Sequence, residues 1–484
     1  MASYKHGIEV EELQTPLSAP VEGTAGLQVV FGIAPIHLAE DPAAPVNTPI
    51  KVNSFEEASR LLGYSSDWET YPMCANMYAS FQAYNIAPVI YVNVLDPAKH
   101  KKDNVETDVA VTDKQVVYQV KDVLLDTIQV KNEETVLANG TDYLVSREGD
   151  YPVITLLSSG TAAEAATLKV QSSSIDPSAV TEADIIGGYN AETGDETGLE
   201  CLRQVYVLHQ MVPGLILAPG WSHKPTVAAV MQAKTRNLNQ VFNTFAVIDL
   251  DTTRAKVYTK AKEVKDQDGI NSERAAALWP MVVLNGQKVY YSAVWAAMTA
   301  YVDAQNGDRP YKSPSNELLN ISAAVLADGK EVRLDSSQAS YLNGDGIVTA
   351  VNDDGWKSWG NNTACYPENT DPKDRWICCR RMMNWYEVHF LLQYKEKVDD
   401  PYNTRLIENL VDTENLYLNG LTSSGYIAGG QITYDETENT RDEILNGHMI
   451  FRTNIAFWTP AEYIKNKIVF DPDILTQAVL GGES

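Results

Sequence analysis

Five groups of residues could carry chemistry by their type and spacing. Gly220-Trp221-Ser222 follows the apolar run Leu215–Ala218, as a nucleophilic serine would. A nucleophile elbow also needs a glycine at position 224, where Lys224 stands, and a sharp turn from strand into helix. Pro219 and Pro225 favour a loop instead, so Ser222 reads as a strand-end turn, and an α/β hydrolase-like enzyme using Ser222 is the alternative. Asp249 and Asp251 close the run Phe245–Asp249, where α/β proteins often hold metals or catalytic acids. Capping of a helix over 252–265 accounts for them more simply. The seven histidines never fall at ligand spacing, and His209 and His389 each sit in a helical pattern as packed or exposed residues. HExxH, GxxxxGK[ST] and a complete GxGxxG are all missing. Cys378-Cys379 lies in a strand-like run and reads as packing, because neighbours on a strand point oppositely. Arg380-Arg381 could bind an anion. In a strand, however, one of the two would face inward and pair with an acid such as Glu387. No catalytic residue, cofactor or metal is expected.

The elements around these groups form an α/β chain with an interruption. Leu27–Phe31 is a short strand ending at Gly32, Ser54 with Glu57 marks a helix through Leu62 stopped at Gly63, and Met73, Met77 and Phe81 line one face of a helix over 72–84. Val89–Leu95 is then a buried strand. From 99 to 180 Val and Thr dominate and turns such as Asn139-Gly140 punctuate, which predicts a small inserted β-rich domain. The acidic, Gly-bearing stretch 187–198 leads back. Leu215–Ala218, Phe245–Asp249 and Met281–Leu284 read as strands, and 226–239, 253–265 and 292–305 as helices. Together they predict a mostly parallel sheet covered by helices.

After 321 an α+β module follows, with helices over 385–397 and 404–421 and five tryptophans, Trp356, Trp359, Trp376, Trp385 and Trp458. The fold class is therefore multidomain α/β and α+β. It divides into an N-terminal arm (1–25), a first α/β part (26–98), the inserted β-rich domain (99–180), a second α/β part (181–320), the C-terminal module (321–463) and a C-terminal arm (464–484). Both arms alternate like lone strands. Tyr4, His6, Ile8 and Val10 share one face at the start, and Ile464, Asn466, Ile468 and Phe470 share one at the end. Pro16, Pro20 and Gly23 tether the first arm.

At 484 residues about two to four domains are expected. A net charge of −26 with no basic run argues against nucleic acid as a partner. No apolar run approaches the roughly 18 residues that would span a bilayer. Five scattered cysteines and the lack of a basic-then-apolar leader predict synthesis in a reducing cytoplasm.

A further set of residues has no catalytic chemistry. It runs Trp356-Lys-Ser-Trp-Gly360, Arg380-Arg381, Trp385-Tyr386-Glu387, Pro401-Tyr402-Asn403, Gly425 to Gly430, Asn439-Thr440, Gly447 and Pro460-Ala-Glu-Tyr-Ile464. Earlier stretches join it: His6-Gly7-Ile8-Glu9-Val10, Leu217-Ala-Pro-Gly-Trp-Ser222, and Ser292…Asp303…Gly307…Pro310…Ser313-Pro-Ser-Asn316. In order and spacing this set resembles contractile tail sheath proteins of bacteriophages and their bacteriocin relatives. Gly346-Ile347-Val348 and Asn361-Asn362 depart from the family pattern. The resemblance implies a non-enzymatic subunit of a helical polymer around an inner tube, whose contraction drives the tube through a cell envelope in a virion tail or phage-tail-like particle. It implies baseplate and tail-terminator partners, and terminal arms that complete small sheets in neighbouring subunits. A surface-array subunit is a further alternative.

Overall fold

The computed structural model describes residues 21–22 and 24–480. The N-terminal strand expected at Tyr4, His6, Ile8 and Val10 lies outside them. The centre is an eight-stranded sheet. In chain order its strands are β1 (Gln28–Gly32), β2 (Ile50–Val52), β3 (Val89–Asn93), β4 (Leu215–Leu217), β5 (Phe245–Asp249), β6 (Ala275–Leu278), β7 (Ile347–Asn352) and β8 (Trp356–Trp359). They lie side by side as β8-β7-β6-β5-β4-β1-β3-β2. The inner pairs are parallel, and only the edge strands β8 and β2 pair antiparallel. Every residue of β1, β3, β5 and β6 is buried. This explains their continuous apolar runs, since parallel strands are covered on both faces.

Helix α1 (Tyr291–Gln305) is buried along nearly its whole length. A helix apolar all round must lie inside the body. Gly26 lets the chain pass α1, because a Cβ there would come within 2.6 Å of the Ala300 Cα. The start of the described body is pinned by Asp308, whose Oδ1 accepts from the Thr24 and Ala25 amides, each at 2.8 Å. The helix Phe55–Leu62 begins as expected, with the Ser54 hydroxyl accepting from the Glu57 amide at 3.1 Å. The Glu57 carboxylate reaches one residue further back, to the Asn53 amide. Gly63 ends the helix at φ +73°, where a Cβ would strike the Pro35 carbonyl.

Between Lys101 and Ile175 the chain forms short strands in sheets of four, three and two. These have their own core, with Val116, Tyr118, Val130, Ile154, Leu168 and Val170 at its centre. The Arg147 guanidinium ties this region to the main body by donating to the His37 carbonyl at 3.2 Å.

Several expectations need correction. β6 is a central strand, yet Ala275-Ala-Ala-Leu is too small and uniform to signal one. Met281–Leu284 is a strand but pairs antiparallel with Gln287–Val289 and Ala323–Val325, outside the main sheet. The helix expected over 253–265 runs Tyr258–Gln267, because Asp251 first holds a turn through the Thr253 amide at 2.8 Å. The helix expected over 226–239 stops at Ala233. β7 and β8 extend the main sheet, although both follow residue 321. The run containing Cys378, Cys379, Arg380 and Arg381 is helical, in α2 (Ile377–Tyr394), and not a strand. Its period was legible: Cys378, Met382 and Tyr386 recur every fourth residue and are all buried. Helix α3 (Thr404–Ser423) matches its expected place.

Candidate functional site

Ser222 is fully buried. Its hydroxyl donates to the Asp249 carboxylate at 2.9 Å and accepts from the Asp249 amide at 3.1 Å, so both partners are an aspartate and neither is an imidazole. The same carboxylate accepts from the Ser292 amide at 2.8 Å and the Ser292 hydroxyl at 2.5 Å. Asp249 therefore caps the start of α1 from the end of β5. Burial pushes its carboxyl up to about 6, against the pull of the serine hydrogen bonds. A serine with a buried carboxylate for a partner, sealed from solvent, is a joint between strand and helix. Asp251, two residues on, caps its own turn.

The arginine pair is structural. Arg381 is buried and grips Asp303 of α1 with both terminal nitrogens, one at 3.1 Å to Oδ1 and the other to Oδ2. Arg380 reaches Asp374 at 3.2 Å and Glu387 at 3.3 Å, the partner expected from sequence. With Asn384 donating to the Thr244 carbonyl at 3.1 Å, these bonds lock α2 onto the main body. His209 sits within 2.9 Å of the Pro49 carbonyl. His389 stacks on Tyr417 at 3.8 Å and lies 3.4 Å from the fully buried Glu414 of α3. Burial raises the Glu414 carboxyl, but the nearby His389 and the Tyr394 hydroxyl, which donates to it at 2.8 Å, outweigh it and hold the group below the usual glutamate value. No cluster of three or more metal-ligating side chains occurs among the described residues. No helix among them is long and apolar enough to cross a membrane.

Unsatisfied chemistry gathers instead at the C-terminal end. β9 (Gly429–Tyr434) and β10 (Phe451–Ala456) form a two-stranded antiparallel sheet over α2 and α3. Asn415 of α3 uses its side-chain amide to hold Ile432 of β9, donating to its carbonyl at 3.0 Å and accepting from its amide at 2.9 Å. Since main-chain groups alternate between the two sides of a strand, Gln431 and Thr433 bond across to Asn454 and Arg452. Phe451, Thr453 and Ile455 then turn their N–H and C=O groups outward. One edge of the sheet is plugged, and the other carries no strand among the described residues.

Beyond it, Glu462 makes the last ion pair to the body, with Arg375 at 3.3 Å. All residues from 463 to 480 are exposed. Ile464 is 85% exposed, Ile468 86% and Phe470 75%. This segment pairs with no strand among the described residues. It ends in helix α4 (Pro472–Leu480), which the strand-only reading of 464–484 missed although Asp471-Pro472 is a helix-start signal. Asn415 was also missed, since a lone asparagine on a helix gives no sign of the strand it will meet.

The described residues thus combine a packed α/β body, a two-stranded sheet whose β10 edge carries no further strand among them, and an exposed apolar segment that joins none of their sheets. No family model matches the chain. It is 26% identical, over 99% of its length and 98% of the relative's, to the tail sheath protein of Burkholderia phage BcepMu. Its fold is similar to a chain of the anti-feeding prophage baseplate, with a TM-score of 0.58 and 16% identity over 97% of this chain and all of that one. It is likewise similar to the anti-feeding prophage sheath in the contracted state, with a TM-score of 0.56 and 17% identity over the same shares. By sequence, the chain is thus similar to a phage tail sheath protein, and its fold is similar to that of a contracted sheath.

Proposed function

We propose that this chain is one subunit of a sheath that polymerises helically around a rigid inner tube, in a virion tail or phage-tail-like particle, and contracts to drive that tube through a cell envelope. The carrying observation is the pairing of needs at the C-terminal end: among the described residues, an extended segment has no strand partner and the outer β10 edge has no strand on it. Strand addition satisfies both at once, with main-chain hydrogen bonds for affinity and alternate side chains for register. By resemblance the N-terminal arm, with Tyr4, His6, Ile8 and Val10, joins the same exchange, and the proposed division into arms, α/β body, inserted β region and C-terminal module lets whole bodies move while arms stay paired.

Magnitudes favour a cooperative lattice over a stable dimer. Burying Ile464, Ile468 and Phe470 gives about 1.5–3 kcal/mol each, roughly 5–9 in all. Hydrogen bonds add about 0.5–1.5 kcal/mol apiece. Association costs about 4–15 kcal/mol, so a single exchanged arm barely holds and many must act together. The similarity to a contracted sheath supports the contractile role, and the similarity to a baseplate chain supports contact with a baseplate.

The test is removal of residues 464–484. The truncated protein should unfold with an unchanged transition and form no tubes or rings by negative-stain electron microscopy. Normal tubes from it would refute the exchange.

A further inference from the structure

Helix α2 has a second face that the described residues leave half-covered. Trp385, Val388, His389 and Leu392 recur there at helical spacing and form one wall of a cavity of about 460 Å³, with Met211, Val212 and Pro213 opposite. A stripe at i, i+3, i+4 and i+7 is how a groove meets an incoming helix. The apolar surface continues onto the short helix Gln204–His209, where Val207 is 66% and Leu208 53% exposed. Arg381 in the lining brings no free charge, being paired with Asp303.

Helix α4 has the complementary need. Ile474 is 67% exposed, Leu475 54% and Val479 75%, and with Ala478 they fall on one face. A helix of nine residues is marginal in water unless a surface covers its apolar side. We propose that the α2 cavity is the seat of α4 from a second copy of this chain.

The direction of the elements supports this seat and rests on the strand addition proposed above. Cys379 donates to the Trp458 carbonyl at 3.5 Å, and Tyr386 donates to the Thr453 hydroxyl at 3.4 Å. As α2 advances, β10 therefore runs back beside it. A strand added antiparallel to β10 travels with α2, from the level of Cys379 toward Leu392. It leaves the sheet near Phe470, two residues before α4 begins, so the helix arrives toward the end of α2 where Val388 and Leu392 open the cavity.

The test mixes full-length chains carrying Leu392→Cys with chains carrying Val479→Cys under assembling conditions. The five native cysteines are buried. After mild oxidation the mixture should give far more covalent dimer than either variant alone. Assembly without that dimer overturns the proposal. So does a cross-link formed within one doubly substituted chain at high dilution, or one from Leu392→Cys to Ile8→Cys, which would give the cavity to the N-terminal arm. In parallel, removal of 472–484 and the substitution Leu392→Glu should each raise the concentration needed for assembly about tenfold, and the two together no more than either alone. Independent, multiplying effects overturn the seat. Unchanged assembly without 472–484 overturns this inference alone, whereas unchanged assembly without 464–484 overturns the strand addition beneath it as well.

Discussion

β3, Val89–Asn93, and the segment Ile464–Phe470 are both rich in β-branched and aromatic residues, and either could be a strand. β3 is fully buried, with β1 on one side and β2 on the other. The terminal segment is exposed on both faces and joins no sheet among the described residues. Strand propensity measures how well side chains fit a pleated, half-buried surface, and it says nothing of which molecule supplies that surface. The core strands find theirs within the chain, whereas the terminal segment finds none among the described residues.

This contrast can be broken by substitution, and the largest effect belongs to the arm. Ile468→Asp should abolish tube formation while leaving the urea unfolding curve unchanged. A shifted curve would show that the arm packs on its own body. Next is the buried clamp. Asp303→Asn leaves the Arg381 charge unpaired between α1 and α2 and should cost about 3–5 kcal/mol in unfolding free energy. A loss under about 1 kcal/mol, the range of exposed pairs, would mean that water reaches the site.

Much of the body was legible in the sequence, and the reasons are local. The capped helix over 55–62, the strands at 28–32, 89–93 and 245–249 and the β-rich character of 99–180 all follow from turn residues and hydrophobic period. The run 377–381 was misread because a short apolar stretch followed by two arginines fits a strand as well as a helix, and only the four-residue recurrence of Cys378, Met382 and Tyr386 decides it. The position of β6 and the capping of α1 by Asp249 depend on contacts between distant parts of the chain, which no local pattern encodes. The open edge of β10 could not be read at all, because it exists only through the plug that Asn415 places on the other side of the sheet.

Two smaller predictions sharpen the comparison inside the C-terminal module. Glu414→Gln should cost about 1–3 kcal/mol at neutral pH by weakening the bond from Tyr394 and the contact with His389. The sign follows from a folded-state carboxyl held below its unfolded value. Its contribution is complete above the unfolded value near 4.3 and drains away as pH falls through the lowered one. Unfolding curves of the two proteins should therefore converge in acid, and a constant gap across pH would contradict this. Asn415→Ala should cost only about 1 kcal/mol, since water can reach the freed edge. It should nevertheless yield branched or irregular assemblies by electron microscopy, because a second edge of the sheet then becomes available.

The most direct measurement is amide hydrogen exchange at Phe451, Thr453 and Ile455 and across 464–470, in dilute monomer and in assembled material. All of these amides should exchange freely in the monomer and become protected together on assembly, while those of β3 stay protected throughout. Protection of the β10 edge or of 464–470 already present in the dilute monomer would contradict the claim that a different copy of the chain completes this sheet.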